Sequence, residues 1–471
     1  MEIKFYGHQS WEASVPGAIV LFDPLLKPYF GASEQSFCAI YPYRIAPRPS
    51  SVEAIFLSHE HGDHFCVETL SELPRNIPIY TGRLMPASVD YCLKNLGFII
   101  HKFDIEEKIQ LKSGIHVTPL HCSMDTPFWE RRVYQFLVEY GSNCFYLAVD
   151  GGVSRETAES LRNGQLSSPG IFAVSNNAQI TTLERRSAFQ NDRLSTDMDP
   201  TKNGLAALSN YAQLMNECSS ALDEVHIAVC GGGFLKGGED LAIHPLAEHW
   251  AVARHISAYS SPRFSAPIPG TTYTLSSNAV IETHVDEAFQ PLTSREFIES
   301  FRPKHRVGQN GYYQLVNRGR YDGEREFINK AVSDFLDAFL LSDEGKGFYR
   351  DSLERRLPGT ISLTIDDAYQ ESPATAATWT KDLFTGRLHL DRDPDDSATI
   401  AIRIHLDDLC ALLQGEIDIW ELSGSHILIS HPPEMPNYAI TYLYTYFGEQ
   451  VSQDLAMKFV NSKLNKVKYA N

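Results

Sequence analysis

Residues 58–65 read SHEHGDHF and follow residues 51–57, SVEAIFL, an apolar run with the composition of a buried strand. Three histidines, a glutamate and an aspartate share those eight positions. Loops leaving the strands of an α/β fold expose functional groups while the sheet holds them rigidly. On a tight loop alternate residues can share a side, so His59 and His61 could converge on one cation. Asp63 and His64 would then face a neighbouring position. Imidazole nitrogen and carboxylate oxygen suit zinc, iron or manganese. For a single histidine, a polar cap on backbone groups is the plainer reading. An H-x-H-x-D-H array behind a buried strand favours a metal site.

The motif sits among alternating strands and helices. EIKFYG, AIVLFDP, IPIYTG, HVTPLH, YQFLVEYG and CFYLAVDGG read as strands closed by Gly, Pro, Asp or His, with helical periodicity in VETLSELP and MPASVDYCLKNLG. A longer helix is expected in GLAALSNYAQLMNECSSAL, followed by the strand DEVHIAVC and the run Gly231-Gly232-Gly233. This alternation predicts layered α/β architecture. Composition changes near residue 285: EREFINKAVSDFLDAFLL and GFYRDSLERRL read as helices, then GTISLTIDD, TGRLHLD and ATIAIRIHL as strands of an antiparallel sheet. Two domains are therefore expected, 1–285 and a C-terminal α+β domain over 286–471, whose role is to shape the site mouth or to form a homodimer.

The 471 residues carry a net charge of −18, which opposes a general nucleic-acid or anionic-membrane surface. A small-molecule substrate is the expected partner, with neither nucleic acid nor membrane. No secretory signal and no apolar run of membrane-spanning length is visible. The eight cysteines are scattered without a C-x-x-C pair, which fits free thiols in a reducing, cytoplasmic compartment.

H-x-H-x-D-H resembles the signature of the metallo-β-lactamase superfamily. The opening IKFYGHQSWEASVPGAIVLFDPLL is similar to that family's first strands, His121 in HVTPLHCSMDT to its third motif and Asp150 in FYLAVDGG to its fourth. The resemblance implies an αββα sandwich in which His59, His61 and His121 bind one metal, Asp63 and His64 a second, and Asp150 bridges them. The family supplies a further histidine late in the fold. Pro269-Gly270-Thr271 occupies the expected place here, and His244 in EDLAIHPLAEHW is the nearest substitute, with a helix-start role as its alternative. A narrower resemblance, to cytidine monophosphate-N-acetylneuraminate hydroxylases, rests on SHEHGDHFCVETLSEL, MDTPFWERRVYQFLVEYG, LAVDGG, PIPGTTYTL and the ending HLDDLCALLQGEIDIWELSGSHILISHPPEMPNYAITYLYTYF. Those hydroxylases carry a Rieske cluster, which needs paired Cys and His. No C-x-H followed by C-x-x-H exists in this chain.

One or two divalent ions are expected, zinc first, then iron or manganese. Zinc there would lower the pKa of its water from about 15.7 to about 7 and make hydroxide available. Asp63 or Asp150 would orient that hydroxide and take a proton during attack on an ester, lactone, amide or phosphoester. Iron in the same ligands could bind dioxygen instead, and such an oxygenase would need a separate electron-transfer protein. A non-catalytic binding protein with a decayed second metal site is the third reading. His8 could approach the site or serve its tight turn, Asp23 is expected to support the metal loop, and Glu60 to face solvent or support the ligands.

Overall fold

The computed structural model describes residues 1–27, 29–30, 37–38, 49–122, 133–151, 153–175, 225–231, 235–236, 242–243, 264–290, 320, 325–366, 377–391, 398–417, 419–422, 427–432, 435–448 and 453–470. It divides into two compact units, residues 1–305 with 466–471, and residues 306–465. The sequence reading puts the change at 285.

Two large sheets build most of the first unit, beside a small four-stranded one that runs Ala242–Ile243, Leu235–Lys236, Phe37–Cys38, Tyr29–Phe30. The eight-stranded one runs in the order Ala279–Val285, Thr271–Ser276, Glu2–Gly7, Ser10–Val15, Ala18–Phe22, Val52–Leu57, Pro78–Gly82, Ile99–Phe103. The strands from Ala18–Phe22 onward are parallel, and the helices Val67–Glu72 and Ala87–Leu96 sit in the crossovers that parallel pairing requires. The seven-stranded sheet runs Phe264–Ser265, His226–Cys230, Ile171–Ser175, Asn143–Leu147, Tyr134–Tyr140, His116–His121, Ile109–Gln110. Its first four strands are parallel.

Period-2 alternation decides which face each strand buries. Ile3, Phe5, Trp11, Phe22 and Phe56 from one sheet meet Val117, Phe136, Phe145, Leu147 and Ala228 from the other in a single core. On the far face of the second sheet, Leu120, Leu137, Tyr146, Phe172 and Val229 form another cluster with Leu161 of the helix Arg155–Arg162. Strands buried on both faces read as unbroken apolar runs, as VEAIFL and HIAVC do. This is the expected αββα sandwich of the metallo-β-lactamase fold, and the C-terminal unit is an additional α+β domain. The long helix expected at 204–222 lies outside the described residues.

In the second unit the helices Arg325–Leu341 and Asp343–Arg355 precede a five-stranded sheet, Leu388–Asp391, Ala377–Asp382, Thr360–Asp366, Ile400–His405, Ile427–Ser430. The antiparallel expectation needs correcting. Thr360–Asp366 and Ile400–His405 pair in parallel at the centre, because the hairpin 377–391 occupies the other edge and the chain crosses over to return. An apolar recess of about 380 Å³, partly open to solvent, lies against this sheet, with Val332, Phe335, Leu363 and Leu409 in its wall. No helix among the described residues is long and apolar enough to cross a membrane, and Cys66, Cys92, Cys122, Cys144, Cys230 and Cys410 are buried and not in disulfides.

Candidate metal centre

The motif occupies the carboxyl end of Val52–Leu57, next to the carboxyl end of its parallel neighbour Ala18–Phe22, where Asp23 begins the loop. The second sheet brings its own strand ends to the same rim. Asp150 follows Asn143–Leu147, Ser175 ends the adjacent parallel strand, and Gly231 follows the next. The turn Gly7–His8 closes the ring, held by a hydrogen bond from the Gly231 N–H to the His8 carbonyl at 2.8 Å.

Asp23 is fully buried and organises the motif. Its carboxylate accepts from the Ser58 N–H at 2.8 Å, from the Ser58 hydroxyl, and from His64 Nδ1 at 2.8 Å. These bonds assign the tautomers. Ser58 spends its only proton on Asp23, so its oxygen accepts from His59 Nδ1 at 2.9 Å. His59 and His64 therefore both turn Nε2 toward the cleft, as carboxylate-oriented metal ligands do. The expected supporting role of Asp23 thus extends to two histidines at once.

Three overlapping groups of donor atoms lie within 4.8 Å of one another: His59, His61 and Asp150; His8, Asp63 and His64; and Asp23, His59 and His64. His59 Nε2 is 2.8 Å from His61 Nδ1 and 3.6 Å from Asp150 Oδ2. His64 Nε2 is 3.1 Å from Asp150 Oδ2 and 3.5 Å from Asp63 Oδ2. Among the described residues His64 Nε2 is buried and forms no hydrogen bond of good geometry, so its approach to the carboxylates is a charge contact. A buried nitrogen aimed at two carboxylates, beside an imidazole pair, fits a divalent cation in donor type and number.

Electrostatics agree with that fit. Burial pushes the His64 imidazole down, but Asp150, Asp63 and Asp23 outweigh it and hold the group well above the usual histidine range. Burial pushes the Asp63 carboxyl up, and His64 and His8 outweigh it and hold it well below the carboxylate range. Without a metal, the proton on His64 is the positive charge these carboxylates surround; a bound cation replaces it.

Backbone strain marks the same rim. His8, Asp23 and Val149 adopt φ of 52°, 42° and 52°, a left-handed region that costs a residue with a side chain about 1–3 kcal/mol. Val149 is β-branched and directly precedes Asp150. The turn that carries both is clamped by buried Gln135, whose Nε2 donates to the Ala148 carbonyl at 2.8 Å and the Gly151 carbonyl at 3.0 Å. The Gln135 amide oxygen accepts from the Tyr146 hydroxyl.

His59, His61, Asp63, His64 and Asp150 thus gather at one place. His121 ends the strand His116–His121 beside Tyr134, whose N–H donates to the Ser58 carbonyl at 3.3 Å, so its backbone reaches the same rim. Its side chain is exposed and belongs to none of the three donor groups among the described residues, whereas Asp150, expected to bridge two metals, stands with His59 and His61. His244 lies outside the described residues. Pro269-Gly270-Thr271 is a turn at the foot of Thr271–Ser276, with the Gly270 N–H bonded to the Phe5 carbonyl at 2.8 Å. Sequence reasoning missed Gln135 and Ser58, and left His8 open. A serine before the motif and a glutamine within an apolar strand were the available signals.

Residues 19–185 match the model of the beta-lactamase superfamily domain. Distant likenesses among solved structures include an isothiocyanate hydrolase from Delia radicum gut bacteria, 15% identical with a TM-score of 0.40, over 58% of this chain and 99% of that one. A possible metal-dependent hydrolase from Veillonella parvula is 16% identical with a TM-score of 0.37, over 58% and 99%. The diiron β-hydroxylase CmlA from Streptomyces venezuelae is 17% identical with a TM-score of 0.39, over 58% and 53%. No curated protein matches. The matched segment spans the motif loop and the Asp150 turn, so the likeness to the beta-lactamase superfamily domain covers the residues that gather at the rim.

Proposed function

We propose that the first unit is a metal-dependent hydrolase acting on a small polar or phosphorylated substrate. The observation that carries this reading is Asp150, one oxygen of which faces both histidine groups, 3.6 Å from His59 and 3.1 Å from His64. A divalent cation held by these residues supplies Lewis acidity and lowers the pKa of water from about 15.7 to about 7.

The chain's own groups divide the remaining work. Asp23, with a side chain 0% exposed, is sealed from substrate and orients His59 and His64. Asp63 and Asp150 are 14% and 17% exposed, so they are the carboxylates of the cluster that solvent and substrate can reach. Asp63 stays ionised, which suits a ligand. Asp150 sits on a clamped, strained turn and is placed to orient the attacking water and accept its proton. Burial of the histidines lowers the local dielectric and strengthens each of these contacts.

The resemblance to sugar-nucleotide hydroxylases favours a second reading, dioxygen chemistry at iron. Chelator-stripped protein reloaded with zinc, manganese or iron(II) separates the two on a panel of lactones, carboxylic esters and phosphoesters, with and without air. Turnover that needs no oxygen supports the hydrolase. Turnover confined to iron, oxygen and an added electron donor would overturn it in favour of the oxygenase.

A further inference from the structure

We propose that His8 is a ligand of a second cation site, together with Asp63, His64 and Asp150, and that this N-terminal histidine completes the site in place of one late in the unit. The inference rests on the metal-centre reading above.

His8 Nε2 lies 2.7 Å from Asp63 Oδ2, and the His8 and His64 rings stand edge to face with centroids 5.7 Å apart. Donors bound tetrahedrally at about 2.0–2.1 Å from an ion lie about 3.3 Å from one another. The separations here, 2.7, 3.1 and 3.5 Å, bracket that value, so a cation enters with shifts of a few tenths of an ångström. The buried His64 Nε2, without a hydrogen bond among the described residues, lies 3.5 Å from Asp63 Oδ2 and 3.1 Å from Asp150 Oδ2.

The turn is built to present this imidazole. A tight turn between the strands Glu2–Gly7 and Ser10–Val15 favours Gly or Asn in a left-handed conformation, and here a histidine takes it at φ 52°. The strained backbone is locked by the Gly231 N–H on the His8 carbonyl. Gly231 itself has φ 68°, and a Cβ there would stand 2.6 Å from Gln9 Nε2. The first glycine of the 231–233 run thus serves to hold His8 in place. At 8% exposure His8 is too buried for a solvated surface histidine, and its Nε2 bonds a carboxylate of the cluster.

The alternative is that His8 merely steadies Asp63 by hydrogen bonding, and two variants separate these roles. His8→Asn suits the left-handed backbone and folds at least as well as the parent, but cannot reach the site. His8→Gln keeps an N–H donor for Asp63 and removes the imidazole. Metal per chain is counted by elemental analysis after saturation and desalting, with cobalt(II) absorption as the second readout and the melting temperature as the folding check. The parent is expected to hold two ions, both His8 variants one, and His244→Ala two. Two ions retained by His8→Gln, or loss of the second ion in His244→Ala alone, would overturn the inference. A parent that binds a single ion would overturn it while leaving a mononuclear hydrolase intact. A parent that binds none would remove the metal-centre reading itself.

Discussion

Asp23→Asn tests how the motif is held. The substitution keeps the size of a side chain that is 0% exposed but replaces one carboxylate oxygen by an NH2 group. The amide can still accept from the Ser58 N–H, which now bonds Oδ1 at 2.8 Å. The other position, which accepts from the Ser58 hydroxyl and from His64 Nδ1 at 2.8 Å, becomes a donor. His64 must then accept at Nδ1 and carry its proton on Nε2, the nitrogen that faces Asp63 and Asp150. Loss of such a ligand-orienting partner costs about 10–100-fold in metal affinity. In the metal-free protein the variant also breaks a buried pair with a protonated histidine, worth about 3–5 kcal/mol when one partner is removed. At roughly 2 °C per kcal/mol for a unit of this size, the melting temperature of the metal-free protein falls by about 6–10 °C. Competition titration against a fluorescent chelator gives the affinity, and differential scanning calorimetry gives the stability. Parental affinity together with a parental melting temperature would refute the orientation argument.

Two other outcomes follow from the same contacts. His64 has a raised pKa in the folded protein, so its contribution is full below the unfolded value of 6.5 and is lost as pH rises through the folded value. Asp63 has a lowered pKa, so its contribution is present above 3.8 and is lost as pH falls through the folded value. The metal-free protein is therefore expected to lose stability above neutral pH while the stabilisation gained on adding zinc grows, with proton release on binding; thermal melts across pH check both signs, and a zinc effect independent of pH would contradict them. Gln135→Ala removes the amide's hydrogen bonds to the Ala148 and Gly151 carbonyls and from the Tyr146 hydroxyl, at about 1–3 kcal/mol for a buried group left unsatisfied, while the Ala148 carbonyl keeps the Gly151 N–H at 3.3 Å. Turnover is expected to fall more than substrate affinity, because the clamp positions Asp150; equal kcat with a lower melting temperature would make Gln135 purely structural.

The part of the site legible in the sequence is the part written in consecutive residues. His59, His61, Asp63 and His64 fall within one loop, and a strand-end aspartate at 150 stands where its order along the chain suggested. What was not legible depends on register and on chain ends meeting in space. Gln135 reaches the Asp150 turn because Tyr134–Tyr140 and Asn143–Leu147 form a hairpin with Phe136 opposite Leu147. Gly231 meets His8 across the whole unit. His121 ends the expected strand, but its side chain is exposed and outside the three donor groups among the described residues, an orientation that a one-dimensional motif does not carry. In the C-terminal unit, alternation in SLTIDD and IAIRIH identified strands correctly, but periodicity carries no information about whether two strands pair parallel or antiparallel. ATWTKD was missed because Thr, Lys and Asp dilute its strand signal, although Trp379 and Thr378 are buried.

The most direct test of the account is a count of zinc, iron and manganese in the parent protein and in His59→Ala/His61→Ala, both purified without chelator or affinity metal and then offered each metal. The account predicts about two ions per chain in the parent and loss of at least one in the double variant, with the fold retained by circular dichroism. A folded parent that holds no metal and takes up none when it is supplied would contradict it.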